Sequence, residues 1–193
     1  MHEGRSVRRL AASTAVLAVI VAGCTDSSGD PVRTDSPFTL TADGFGTTRV
    51  GASFESVMEA LRARWGPPDQ VRDMGCDSFA QSKLVNWDGV QLVFNDRGLA
   101  GYRFGPRPKD AITPAGKDVQ QAATVEGLHL GDTVGTARRL YGERFVLEET
   151  SLGPEWYLDP GSDKGSPLGG FTTGLAETGT ITHIKAGDIC AVR

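Results

Sequence analysis

The chain has 193 residues, 39% of them hydrophobic, and carries 20 Lys and Arg against 24 Asp and Glu for a formal net charge of −4. That length and apolar content suit one domain or two small ones and exclude wholesale disorder. The acidic balance argues against nucleic acid as a partner, and no dense Lys/Arg cluster is present to form a polybasic membrane patch.

The chain opens with "MHEGRSVRRL", where Arg5, Arg8 and Arg9 face a single Glu3, and then runs from Leu10 to Gly23 without a charge. A basic segment followed by a short apolar one reads as a cleaved export signal over residues 1–23, because a spanning helix needs roughly 20 apolar residues. Val21-Ala22-Gly23-Cys24 resembles the bacterial lipobox, with Val21 where Leu is preferred. The resemblance implies that the Cys24 thiol carries diacylglycerol and that the protein sits on the extracytoplasmic face of the cell membrane. A secreted protein with an incidental cysteine is the alternative. Residues 24–38, rich in Ser, Asp and Pro, read as a flexible tether. Processing would remove three Arg and one Glu, leaving 17 basic and 23 acidic residues and a net charge of −6.

With Cys24 lipidated, Cys76 and Cys190 remain as an even pair in an oxidising compartment, so one disulfide is the default and two buried free thiols the alternative. Closing a loop of about a hundred residues would constrain the unfolded chain by roughly 4–5 kcal/mol in the entropic description.

The next elements form an internal repeat. "GFGTTRVGASFESVMEALRARWG" at 44–66 and "GLHLGDTVGTARRLYG" at 127–142 align with Gly51 on Gly131, Ser53 on Thr133, Phe54 on Val134 and Val57 on Ala137. In each, a glycine turn precedes a Ser or Thr able to cap a helix start. The first helix carries Phe54, Val57, Met58, Leu61 and Trp65 on one stripe. The second turns Val134, Ala137, Leu140 and Tyr141 inward and Arg138 and Arg139 outward, and Gly142 ends it. Trp65 and Tyr141 read as core residues. Behind the first helix, "KLVNWDGVQLVFNDRGLAGYRF" gives three strands separated by two turns. Behind the second, "RFVLEET", "PEWYLD", "LGGFTTGL" and "TITHIKAGD" supply three or four more, with "PGSDKGSP" a loop. The expected fold class is α+β, with two tandem repeats of a helix and an antiparallel sheet at 39–104 and 123–193. Residues 105–122 read as a nonperiodic linker.

A glycine turn, an amphipathic helix and an antiparallel sheet, given twice, resemble the tandem architecture of the β-lactamase inhibitor protein and, half by half, the small envelope lipoproteins of outer-membrane assembly. "LTADGFGTTRVGASFESV", "VNWDGVQLVF", "GLHLGDTV", "YGERF" and "GDIC" are similar to a family of uncharacterised actinobacterial lipoproteins over nearly all of the mature chain. These resemblances imply a fold and no active site. The inhibitor family holds one disulfide inside each repeat, whereas here each half has one cysteine, so a Cys76–Cys190 bond would clamp the halves together.

Catalytic motifs are absent from the sequence: there is no GxSxG, no GxxxxGK[ST] and no GxGxxG between a strand and a helix. His129 and His183 stand in separate segments without metal-ligand spacing, and "DPGSD" lacks the spaced ligands of a calcium loop. No cofactor and no metal are expected. The leading reading is a non-enzymatic interaction module that meets an envelope or secreted protein. Trp87, Phe94, Tyr102, Trp156 and Phe171 are its candidate surface aromatics, each weighed against a place in the core. The alternatives are an inhibitor of a β-lactamase or cell-wall enzyme, a hydrolase or small-ligand-binding protein with unrecognised chemistry, and a lipid-anchored spacer.

Overall fold

The computed structural model describes residues 38–76, 79–106, 115–159, 161 and 167–189. Cys24, Cys190 and the tether up to residue 37 lie outside the described residues, as does the Cys76 side chain, and with them the expected lipidation and disulfide. In chain order the elements are β1 (Thr39–Thr41), β2 (Gly44–Phe45), β3 (Thr48–Arg49), α1 (Phe54–Trp65), β4 (Gln70–Cys76), β5 (Phe79–Trp87), β6 (Val90–Asn95) and β7 (Gly98–Phe104). There follow α2 (Ala115–Gln121), β8 (Ala123–Thr124), α3 (Val134–Tyr141), β9 (Phe145–Thr150), β10 (Gly153–Leu158), β11 (Gly169–Thr172) and β12 (Ile181–Gly187). The class is mixed α+β, dominated by antiparallel sheet.

Both longer helices begin as their sequences dictate. Ser53 and Thr133 hold extended backbone, and each side-chain oxygen accepts the N–H three residues on, Ser56 at 3.2 Å and Thr136 at 3.1 Å. Gly51 and Gly131 turn the chain just ahead of these caps with φ of 86° and 87°, a region costly for a side chain. Around each turn the same pair of bonds ties helix start to strand. Gly51 N–H donates to Leu99 and Leu99 N–H to Ala52, while Gly131 N–H donates to Ile181 and Ile181 N–H to Asp132, all four at 2.8 Å. Gly66 and Gly142 close the helices, each N–H returning to a carbonyl in the last turn.

A small sheet has the order β3-β2-β1-β8, and a large one runs β4-β5-β6-β7-β12-β11-β10-β9. Every pairing in the large sheet is antiparallel, and its second group of four strands follows in reverse order. At the central junction, Phe104 pairs with Ile184, Arg103 with Lys185, Tyr102 with Ala186 and Gly101 with Gly187.

Alternation along these strands puts Val85, Trp87, Val90, Leu92, Phe94, Tyr102, Phe104, Trp156, Leu158, Ile184 and Ala186 into one hydrophobic core with Val57, Met58, Leu61 and Trp65 of α1 and Val134, Ala137 and Tyr141 of α3. Trp65 meets Trp87 edge to face with centroids 5.5 Å apart, a geometry that adds to the area they bury. The polar ends of these side chains are satisfied: Trp87 Nε1 donates to the Gly66 carbonyl at 3.2 Å, and the Tyr102 hydroxyl donates to Thr41 O at 2.6 Å.

The structure departs from the sequence reading in four places. Phe38, assigned to the tether, is 6% exposed and packs against Phe45, Trp65 and Phe104. The linker contains α2, whose Val119 and the following Ala122 enter the core. A strand, β4, precedes the expected meander and adds a fourth strand to it. Leu140, expected to point inward, is 36% exposed, because the eight-residue α3 has room on its inner face for Val134, Ala137 and Tyr141 only.

Candidate functional site

The same alternation that buries one face of the large sheet directs the other residue of each pair away from the helices. One straight row crosses all eight strands on that side: Gln70, Asn86, Gln91, Arg103, Lys185, Gly169, Tyr157 and Val146 are successive cross-strand partners. Beside it, His183, Phe171, Glu155 and Glu148 form a second row over β12, β11, β10 and β9. Asn86 and Gln91 are buried, Arg103, Lys185, Tyr157, Phe171 and His183 half-buried, and Glu148 exposed. Leu84 and Val93, partners on this same side, are buried but stand apart from the main core cluster.

Neighbouring strands make a connected group of these side chains. Lys185 Nζ forms an ion pair with Glu155 and lies 5.0 Å from the centroid of the Phe171 ring. Phe171 in turn meets the His183 imidazole edge to face at 5.7 Å. Burial is the main force pulling the His183 pKa down, to about 4, and the positive charges of Arg103 and Lys185 add to it against an opposing hydrogen bond with the Pro106 backbone. The imidazole is therefore neutral at pH 7. Its Nδ1 stands 3.1 Å from the Thr182 hydroxyl.

Arg103 is different. Burial lowers its pKa and no opposing acidic contribution offsets it. Among the described residues the ion pairs are Arg64–Asp118, Lys83–Asp73, Arg138–Glu177 and Lys185–Glu155, and no acid pairs with Arg103. A guanidinium of high intrinsic basicity stays charged even so. The centre of this face, helix-free in the sense that none of the described helices packs on it, thus carries a half-buried positive charge between a buried amide, Gln91, and a second cation already engaged by Glu155.

Of the five aromatics singled out from the sequence, Trp87, Tyr102 and Trp156 are 0% exposed and Phe94 2%. They are core residues rather than an interaction surface, since the helices cover the strand face to which alternation assigns them. Phe171 alone lies on the helix-free face. His129 is not among the residues of either row; its backbone N–H donates to the Asp132 carboxylate at 2.7 Å, holding the turn before α3. The residues that sequence reading missed are Arg103, Lys185, Gln91 and Tyr157. The signal for the two cations was their place in "GLAGYRF" and "ITHIKAG", each one step out of phase with the apolar positions.

Open depressions among the described residues lie elsewhere. One of about 740 Å³ is lined by Phe54, Met74, Ser82, Phe94 and the Asp73–Lys83 ion pair, and one of about 350 Å³ by Asp43, Arg97, Gly187 and Asp188. Among the described residues, no group of three His, Cys, Asp or Glu side chains is placed to hold a metal ion. No helix among them is long and apolar enough to cross a membrane. The chain matches no family model, no curated protein and no solved structure.

Proposed function

We propose that this chain is a non-enzymatic binding module, held by a lipid on Cys24 at the extracytoplasmic face of the cell membrane, which offers the helix-free face of its large sheet to another envelope or secreted protein. The observation that carries this reading is the row from Asn86 through Gln91, Arg103 and Lys185 to Tyr157, polar, with the two amides buried and the last three side chains half-buried, where the opposite face of the same strands is apolar and packed. Aromatic residues and arginine are enriched at interface centres.

The module is, in this proposal, two tandem copies of a helix and a four-stranded meander, arranged as in the β-lactamase inhibitor protein. Three facts support it: matching caps at Ser53 and Thr133, matching hydrogen bonds around Gly51 and Gly131, and reversal of strand order in the second half. Leu99 and Ile181 are 82 residues apart, and so are the partners Arg103 and Lys185. A two-fold relation between the copies then passes between those two side chains, since Tyr102–Ala186 and Ile184–Phe104 exchange under the same offset.

The test is capture from native envelope with the full lipidated chain, a Cys24→Ala form and a Phe171→Glu form. The proposal expects the lipidated chain in the membrane fraction with one enriched protein, release of the Cys24→Ala form from that fraction, and loss of the partner from Phe171→Glu. Membrane retention of Cys24→Ala contradicts the anchor, and a partner captured equally by Phe171→Glu contradicts the face.

A further inference from the structure

We propose that the Arg103 guanidinium is the anchor point for a carboxylate side chain presented by the partner protein, so that the ligand of the helix-free face is an acidic segment. The inference rests on the binding-face reading and specifies its chemistry. Three observations lead to it.

First, Arg103 has the wrong surroundings for a structural arginine. It occupies β7, one of the two central strands, where its cross-strand neighbours are Gln91 on one side and Lys185 on the other. A like charge directly opposite weakens strand pairing, and desolvation of an arginine without an acid weakens it further. The other half-buried cation on this face is treated differently: Lys185 pairs with Glu155. A desolvated arginine without an acid works against the fold, and such local costs concentrate at functional sites.

Second, the neighbouring groups fit a carboxylate. A guanidinium presents a planar fork that matches a carboxylate with two parallel hydrogen bonds, which partial desolvation strengthens. Gln91 and Asn86 are amides on the same row, and Asn86 Nδ2 is occupied by Gln70 Oε1 at 2.9 Å, leaving Gln91 as the amide beside the fork. Among the described residues, the acids on these rows are on the far side of Lys185: Glu155 is engaged by it, and Glu148 lies on the edge strand β9. Neutral His183 adds no charge at pH 7 to compete for the ligand.

Third, an unneutralised half-buried cation near the centre of the face, with only the exposed Arg72 of the edge strand β4 beside it as a further cation without an ion pair among the described residues, suits one carboxylate better than a membrane surface. The chain is acidic overall, and phosphate-rich surfaces are held by clusters of Lys and Arg that this sequence lacks. Tyr157 and Phe171, half-buried on neighbouring strands, supply apolar contact for the rest of a peptide.

The experiment titrates the full chain in detergent micelles with N-acetyl-triglutamate amide, following the Arg103 Nε–Hε resonance and the affinity. A glycine-serine tripeptide, inorganic phosphate and phosphatidylglycerol vesicles are run in parallel. The expected result is a saturable shift of the Arg103 resonance with triglutamate, affinity at least tenfold weaker in Arg103→Gln and several-fold weaker in Arg103→Lys, which keeps the charge and loses the fork. Phosphate and vesicles should leave the resonance in place. Triglutamate affinity unchanged by Arg103→Gln, no saturable shift, or a larger response to phosphate or vesicles overturns the inference. Envelope capture that depends on Phe171 but survives Arg103→Gln also overturns it while leaving the binding face intact.

Discussion

The carboxylate of Asp118 accepts the Trp65 indole N–H at 2.5 Å while the neighbouring Arg64 guanidinium grips it through two bonds of 2.7 and 2.9 Å. One side chain of α2 thereby fixes the C-terminal turn of α1, satisfies the polar end of a core tryptophan and brings Arg64 to 4.7 Å above the Phe38 ring. Asp118→Ala should destabilise the protein by about 1–3 kcal/mol, because a buried donor and a charge-assisted pair lose their acceptor together. Urea denaturation of the full chain measures it; a change below about 0.5 kcal/mol means that the contact has no energetic weight.

The hydrogen bonds from Arg64, helped by that from Trp65, hold the Asp118 pKa below its usual 3.8 against an opposing effect of burial. Its contribution to stability is complete above pH 3.8 and is lost as pH falls through the lower folded value. His183 titrates in a different window. Its folded pKa of about 4 is below the ordinary 6.5, so between these values the unfolded chain binds a proton that the native one refuses. Stability should therefore fall by about 1–2 kcal/mol, after allowance for solvent screening of a half-buried group, as pH drops from 6.5 to 4. Replacing His183 by Gln should flatten that segment of the stability curve. An unchanged slope in the variant assigns the effect to other groups.

Gly170 sits where β11 passes under Trp156. A Cβ there would stand 1.7 Å from the His183 carbonyl oxygen and 2.8 Å from Trp156 Nε1. Gly170→Ala should cost about 3 kcal/mol or more, since backbone and a fully buried indole would both have to move. Gly51→Ala meets no atom within 4 Å and is opposed only by its φ of 86°, so about 1 kcal/mol is expected. Thermal unfolding of the two variants should rank them in that order.

Arg103→Gln should leave stability unchanged or raise it by about 0.5 kcal/mol, since it removes a desolvated charge facing Lys185. A loss of more than about 1 kcal/mol would make Arg103 a structural residue.

Much of the fold was legible from periodicity. Val57, Met58, Leu61 and Trp65 repeat at helical spacing, and strands such as "VQLVF" between two turns could be little else. What escaped has physical causes. In β4, Gln70, Arg72 and Asp73 dilute the apolar alternation, as suits an edge strand with little to bury. In α2 the apolar signal is a single Val119, and contacts of Asp118 with another helix hold it in place. The candidate site escaped for a further reason. Aromatic content pointed to Trp87 and Trp156, but which side of a strand faces solvent depends on where the helices dock, and only the register of β7 against β12 brings Arg103 and Lys185 together.

In the proposed function the helix-free face meets the partner. Photoreactive side chains placed at Tyr157 and, on the exposed side of α1, at Glu59 test it most directly in the native envelope. Adducts to one partner from Tyr157 and none from Glu59 are the predicted result. Adducts from Glu59 alone, or from neither position, would contradict it.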